Sequence, residues 1–453
     1  MVARQRRVIP TGIPSSALIY LSDFARQTPK DSGLRLTQKS IKNLAISASR
    51  FDEWEVTPLR GLVGAPFIEC GIFTHDGSIW KRARALVRPT FNKGEIADLD
   101  SFEVHVKRFL ALIPKDSSTF DMLALSKRLF LDTSTEFLFG QSIGSLLPQT
   151  PFDTAEFMRA FDLSLLGIAL RILAGPFRFL FILDPTWKRN YTKVHDFVDK
   201  RVAIALERQR SMAATGKSVE KTSFEKYILL NEMAMVTQDP LDLRAQILNV
   251  FFPARDTSAI TFANILFELA RHPEAWKDLR GEVLSIDPSQ KLTFEFLKTL
   301  KTTKFIINET LRVHLATSRV SRAAARDTIL PVGGGPDGRA PLFIPKGREV
   351  DIDLHTLHRD LKIWGNDAND FKPQRWAPGR PLWEAKWQYE PFLGGPRMCP
   401  AQNQVLTQLT YLLVRVAQEF QFIENRDEVY EYVEQVTLTN ESKRGVKIAL
   451  VAA

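Results

Sequence analysis

Residues 239–271 constrain the fold of this chain more than any other stretch. Asp239 followed by Pro240 reads as a helix start, an N-cap residue and then a proline in the first turn, where its missing N–H costs nothing. From there a helical pattern runs to about Arg271 and stops before His272–Pro273. That is long for a helix of a globular protein. Residues 121–140 and 190–210 also place apolar side chains at three- and four-residue steps, and a further helical signal covers 293–315. Strand-like pieces come later. TILPV (328–332) and PLFIPKG (341–347) flank GGGPDG, which reads as a hairpin turn, and VEQVTLTN and GVKIALVAA near the C-terminus read as a pair of strands. The spacing predicts one large domain, mainly α with small β-sheets, without repeats or low-complexity segments.

The bulk numbers exclude few classes. The 453 residues are 44% hydrophobic and 25% charged, enough for a large core. Two cysteines cannot build a disulfide framework, which favours a reducing, intracellular setting. The net charge is 61 − 52 = +9, but the basic residues are dispersed, so no nucleic-acid partner is expected. No stretch reads as a signal peptide or a spanning helix. The strongest apolar run, 163–183, is interrupted by Arg171, Arg178 and Gly175–Pro176. It reads either as a core helix with a loop or as a monotopic, peripheral membrane contact.

Three short patterns fail on context. GGGPDG matches G-x-G-x-x-G, but no helix follows to receive a pyrophosphate. GQSIG (140–144) matches the nucleophile elbow, which needs a strand before it and a helix after. A helix precedes it here, so a serine hydrolase using Ser142 stays a distant rival. HRDLKIWGN (358–366) has a kinase-like start with its Asn one place late.

Cys399, in PFLGGPRMCPAQ, is different. Residues 402–420 carry Val405, Leu406, Leu409, Leu412, Leu413 and Val416, one apolar stripe at helical spacing. Cys399 therefore lies at a helix N-terminus, whose free N–H groups and dipole favour thiolate. Gly394 and Gly395 let the backbone approach a flat ligand and aim N–H groups at sulfur. Arg397 offers a permanent positive charge to an anionic ligand edge.

Phe392-x-x-Gly395-x-Arg397-x-Cys399 closely resembles the haem-binding loop of the cytochrome P450 superfamily, in which a cysteine thiolate is the axial ligand of haem iron. Glu309-x-x-Arg312 resembles the family's charged pair, and Phe371-x-Pro373-x-Arg375-Trp376 the segment whose arginine completes a structural triad. Trp80-x-x-x-Arg84 resembles the pair that reaches a haem propionate, and by similarity Arg322 takes another propionate position. Ala254-Arg255-Asp256-Thr257-Ser258 is similar to the acid–threonine oxygen-activation motif of the long central helix. The resemblance covers about residues 40–453, and within the superfamily the look is that of fungal alkane and fatty-acid ω-hydroxylases.

The resemblance implies the P450 fold, a helical bundle around haem b, and a monooxygenase that inserts one oxygen atom of O2 into a C–H bond. The substrate would be apolar, like a fatty acid or alkane, or an intermediate of fungal secondary metabolism. Electrons would come from NADPH through cytochrome P450 reductase, at the endoplasmic-reticulum membrane surface. Asp256 and Thr257 would relay protons. Cys399, Arg397, Trp80, Arg84, Arg322, Phe392 and Gly395 would hold the haem, while Glu309, Arg312 and Arg375 would be structural. Phe251 and Phe252, one turn before the acid–threonine pair, read either as substrate contacts or as core. A truncated or degenerate, non-catalytic haem or lipid binder is the alternative, because residues 1–39 form only a short segment in which the family's membrane anchor is missing. Pro253 stands where relatives carry alanine and frees the carbonyl of Asn249; it is expected to fix an oxygen-access groove without destroying the helix. Arg319 reads as a carboxylate contact or a surface ion pair, the surface being favoured. Ala401, where a glycine is common, costs little if its φ is helical. Cys70 lacks every feature of Cys399 and reads as a packing residue.

Overall fold

The computed structural model describes residues 50–91, 98–214, 227–379 and 387–452. The expected N-terminal segment 1–39 lies outside them. Eleven α-helices of eight residues or more are described. They are α1 (Pro58–Ile68), α2 (Gly77–Val87), α3 (Leu99–Ala111), α4 (Met122–Phe139), α5 (Phe152–Ala174), α6 (Pro185–Ala214), α7 (Leu229–Val236), α8 (Pro240–Leu269), α9 (Pro273–Leu284), α10 (Lys301–Val313) and α11 (Gln402–Glu419). The molecule is mainly helical, with small antiparallel sheets, as the periodicities predict.

Helix α8 begins where the Asp239–Pro240 signal puts it. The Asp239 carboxylate accepts from the Leu241 N–H at 3.0 Å and satisfies one of the donors that a helix start leaves open. The helix then runs through two apolar cores. Its first half packs with α1, α5, α6 and α7, and its second half with α3, α9, α10 and α11. From Ala245 to Ala270 every residue is buried except Phe252, Pro253, Ala254 and Thr257. A helix sheltered all round needs no amphipathic pattern, and this one shows none. Pro253 does not break it, since α8 is continuous through that position.

The four sheets serve the site mainly by carrying side chains to it. Strand β1 (Trp54–Glu55) pairs with β3 (Arg319–Ala324), which pairs with β6 (Glu349–Asp353). This puts Arg322 in a central strand opposite Val350. Strands β4 (Thr328–Gly334) and β5 (Ala340–Ile344) form the expected hairpin around GGGPDG. Strand β10 (Lys447–Ala452) lies between β2 (Phe120–Asp121) and β7 (Phe420–Asn425), and β8 (Glu434–Val436) pairs with β9 (Asn440–Ser442).

Two expectations about elements are corrected. The C-terminal stretches are strands, but they do not pair with each other. The apolar Ile448, Ala449 and Leu450 are fully buried in a central strand, whereas the more exposed β8 closes its own hairpin. The signal over 293–315 is two helices, a single turn at Phe294–Leu297 and then α10. The reason lies elsewhere in the chain. The Glu282 carboxylate of α9 accepts from the N–H groups of Thr302 and Thr303, at 2.8 and 2.9 Å, and so fixes a fresh helix start there.

Candidate functional site

Three parts of the chain converge on Cys399. The first is its own loop. Gly395 has φ +73°, a left-handed conformation that suits glycine, and opens a single 3₁₀ turn ending at Arg397. The Cys399 N–H donates to the Phe392 carbonyl at 2.9 Å, closing the loop on itself. Gly394 has a role the sequence did not reveal: a Cβ there would lie 2.2 Å from the Trp387 ring. Ala401 has φ −89° and needs no glycine.

The second part is α2 and the segment before it. Asp76 stands at the N-cap of α2, but its carboxylate makes no capping bond. One oxygen accepts from the Val56 N–H at 2.8 Å and the other pairs with Arg397. Arg397 also donates to the carbonyls of Ile72 and His75, at 3.2 and 3.1 Å, and its guanidinium lies 4.8 Å from the centre of the Trp80 ring. Arg84, one turn beyond Trp80, is close enough to Cys399 for their charges to interact.

The third part adds Arg322 from β3 and, unforeseen, Arg60 from α1. Burial, together with the charges of Arg60 and Arg397, holds the Arg322 guanidinium down at about 9 against the pull of Asp76. Burial and the Arg397 charge bring Arg60 to about 10. Arg60, Arg322 and Arg397 thus gather beside Asp76, and Arg84 lies close to Arg397. Such a cluster strains against its own charge unless an anion joins it. Together with a half-buried cysteine sulfur, it suits a dianionic ligand whose centre accepts a thiolate, and the two propionates and iron of haem fit that description.

The Cys399 thiol itself departs from the expectation of a favoured thiolate. Burial pushes its pKa up, and the Ala401 N–H and the Arg84 charge only partly offset this. The helix start contributes, as expected, through one N–H. Burial wins until a cation meets the sulfur, because a coordinating metal removes the thiol proton outright.

Helix α8 leaves Phe252, Pro253, Ala254 and Thr257 half-buried in an otherwise buried stretch. The Thr257 hydroxyl donates to the Pro253 carbonyl at 2.8 Å. Asp256, unlike these four, is buried. It lies beside Arg255, whose guanidinium pairs with Asp162 and lies 3.5 Å from the Asp256 carboxylate. Burial raises the Asp256 pKa against the charges of Arg255 and Lys127. The pair Phe251 and Phe252 divides. Phe251 is fully buried among Phe139, Phe157 and Phe161, while Phe252 meets Phe73 edge-on, with ring centres 5.9 Å apart.

Glu309, Arg312 and Arg375 meet away from the sulfur and are buried. Glu309 accepts from Arg312 at 2.8 and 3.0 Å, from Arg375 at 3.3 Å, and from the Lys372 N–H and Trp376 indole at 2.9 Å each. Arg312 also donates to the carbonyls of His358 and Asp370, and Arg375 to that of Trp364, all at 2.9 Å. His358 in turn accepts the Glu390 N–H at 2.9 Å through Nε2, joining this cluster to the start of the Cys399 loop.

The remaining sequence candidates fall outside the site. Ser142 follows helix α4, not a strand, and its hydroxyl accepts from the Gly144 N–H at 3.1 Å in a turn. Arg319 is exposed. Cys70 is not a packing residue: it is exposed, with its sulfur 3.5 Å from His75 Nε2.

A family model described as Cytochrome P450 matches residues 40–447. The chain is 39% identical to cytochrome P450 monooxygenase iccC of Talaromyces variabilis, over 96% of this chain and 86% of that protein. It is 38% identical to cytochrome P450 monooxygenase himC of Aspergillus japonicus, over 90% and 72%. With cytochrome P450 52A10 of Candida maltosa the figures are 36%, 86% and 76%. The crystal structure of a cytochrome P450, CYP102L1, matches the fold with a TM-score of 0.72 at 20% identity, over 91% of this chain and 88% of that one.

Proposed function

The chain belongs to the cytochrome P450 family and is a haem-thiolate monooxygenase, and on that premise we propose that it oxidises a C–H bond of an apolar substrate at the site between Cys399 and Thr257. The substrate is a fatty-acid- or alkane-like chain or an apolar intermediate of fungal secondary metabolism. What supports this most is the arginine cluster beside a half-buried cysteine.

Haem b would supply oxygen activation, and Cys399 would hold its iron. The Ala401 N–H and the Arg84 charge stabilise the sulfur as an anion. Arg60, Arg84, Arg322 and Arg397 would hold the propionates, and the Trp80 ring supports the Arg397 guanidinium. Burial raises the Asp256 pKa, and Asp256 serves as the proton donor. Its neighbour Arg255 pairs with Asp162, which is 54% exposed and links the group to solvent. Thr257 takes the proton onward from its place on the half-buried face of α8. Phe252 and Phe73 exclude water from an apolar chain. Pro253, without an N–H, keeps the helix open at the Asn249 carbonyl.

Electrons come from NADPH through a reductase. Phe177, Phe179 and Leu180 are 63%, 58% and 59% exposed on one short stretch after α5, and they support peripheral contact with a membrane surface. No helix of the described residues is long and apolar enough to cross a membrane.

The test is turnover. Holoprotein with NADPH, a cytochrome P450 reductase and a panel of fatty acids and alkanes is expected to give hydroxylated products. Thr257→Ala and Pro253→Ala should divert electrons to hydrogen peroxide. A wild-type protein that consumes no NADPH with any apolar substrate would contradict the reading.

A further inference from the structure

The segment that follows α1 is fastened to α8 by side chains that no catalytic motif contains. The Arg244 guanidinium reaches both oxygens of Glu69, at 2.5 to 3.2 Å. Gln246 donates to the Cys70 carbonyl at 3.3 Å. Asn249, fully buried, uses both ends of its amide. Its Nδ2 donates to the carbonyls of Ile68 and Ala245, at 2.7 and 2.8 Å, and its Oδ1 accepts the Phe73 N–H at 3.1 Å. One side chain therefore grips both sides of a four-residue excursion, 69–72. Gly71, at its middle, passes directly over the amide: a Cβ there would lie 2.3 Å from the Asn249 side chain. This close approach requires glycine.

The same segment is held from the other side by Arg397, through the Ile72 and His75 carbonyls. It is thus stretched between the Cys399 loop and α8, and Phe73 sits at the α8 end. The Phe73 ring meets Phe252, which adjoins Pro253 and lies on the half-buried part of α8 with Thr257.

We propose that Asn249 is a positioning residue, which sets the place of Phe73 against Phe252 and thereby governs how ligands and substrate reach the Thr257 side of the site. The inference rests on the haem-thiolate reading, and its test separates the two. The backbone of Phe73 has its N–H on Asn249, so removing the amide frees the ring to move off Phe252 and widens the approach. A side chain that merely staples helix to loop would change stability and leave access alone.

The readout is the rate of carbon monoxide recombination with ferrous holoprotein after flash photolysis. Asn249→Ala is expected to speed recombination several-fold while retaining the thiolate-type carbonyl band. Gly71→Ala, which pushes the segment away with Asn249 intact, should act in the same direction, and it carries the test if Asn249→Ala does not load haem. Phe73→Ala should speed recombination as well, and combining it with Asn249→Ala should add little, because both act through one ring. Unchanged recombination in Asn249→Ala and Gly71→Ala, or full additivity with Phe73→Ala, would overturn the proposal. A wild-type protein without the thiolate-type band would instead sink the haem reading itself.

Discussion

Glu309 sits between two arginines, an indole N–H and a backbone N–H, and each of these donors reaches one of its oxygens. Arg322 sits near Arg60 and Arg397, with Asp76 as the acid that tempers them. Both clusters are rich in arginine, yet they are built to different ends. The first closes on itself, with guanidinium donors left over going to main-chain carbonyls. Its two guanidinium charges meet the carboxylates of Glu309 and Asp367, so it holds α10 to the segment before the Cys399 loop. Among the described residues, the second sets four arginines against Asp76, and burial lowers the pKa of each member. A self-sufficient cluster serves the fold, and an unbalanced one serves a ligand.

The contrast breaks first at Glu309. Glu309→Gln would leave Arg312 buried without a carboxylate and Arg375 with Asp367 alone, at a cost of about 3 to 5 kcal/mol. The expected outcome is a large fall in the urea midpoint and little soluble holoprotein. A variant as stable as wild type would show that the triad does not hold the fold.

A second matched cluster sharpens the point through pH. Glu268 in α8 lies between His314, at 2.5 Å, and His272, at 3.3 Å. Burial alone would raise its pKa, but the hydrogen bonds from His272 and His314 hold it at about 2. A depressed carboxylate contributes stability above its unfolded value, near 4.5, and loses it as the pH falls towards 2. The His272 pKa is raised chiefly by its hydrogen bond with Glu268, so that contribution is full below 6.5 and fades as the pH rises through the folded value. Wild type should therefore exceed Glu268→Gln by on the order of 3 kcal/mol between those limits, measured by urea unfolding. A difference that stays constant down to pH 2 would contradict this.

The unbalanced cluster should behave in the opposite way. Arg322→Ala removes a charge that its neighbours repel, so the protein should fold and bind haem. Haem loss to an apomyoglobin acceptor should then accelerate about tenfold, the equivalent of about 1.4 kcal/mol. A collapse of folding like that of Glu309→Gln would erase the distinction. The smallest effect belongs to the exposed Lys193–Glu156 pair, where Lys193→Ala should shift stability by less than about 0.5 kcal/mol.

Legibility in the sequence followed locality. The start of α8, the α11 stripe and the GGGPDG hairpin depend on neighbouring residues, and each lies where its local signals put it. The residues of the Cys399 loop and of the Trp80 and Glu309 motifs stand at fixed short spacings and could be picked out. What no local pattern carried came from distant partners. Arg60 looks like any arginine on a short helix, and only the fold brings it to Arg322. Asp76 stands at an N-cap, and its engagement with Arg397 spans more than three hundred residues. Asn249 sits in an apolar helix as an isolated polar residue, a signal that could have been followed, but its partners Ile68 and Phe73 were invisible. The break before α10 was hidden for the same reason, since Glu282 makes it from another helix.

The central claim is that Cys399 ligates haem iron as a thiolate, and ferrous–carbon monoxide difference spectroscopy of the holoprotein tests it most directly. Wild type should show the red-shifted Soret band of a thiolate-ligated haem, and Cys399→Ser should lose it. A wild-type protein without that band, or a Cys399→Ser protein that keeps it, would contradict the account.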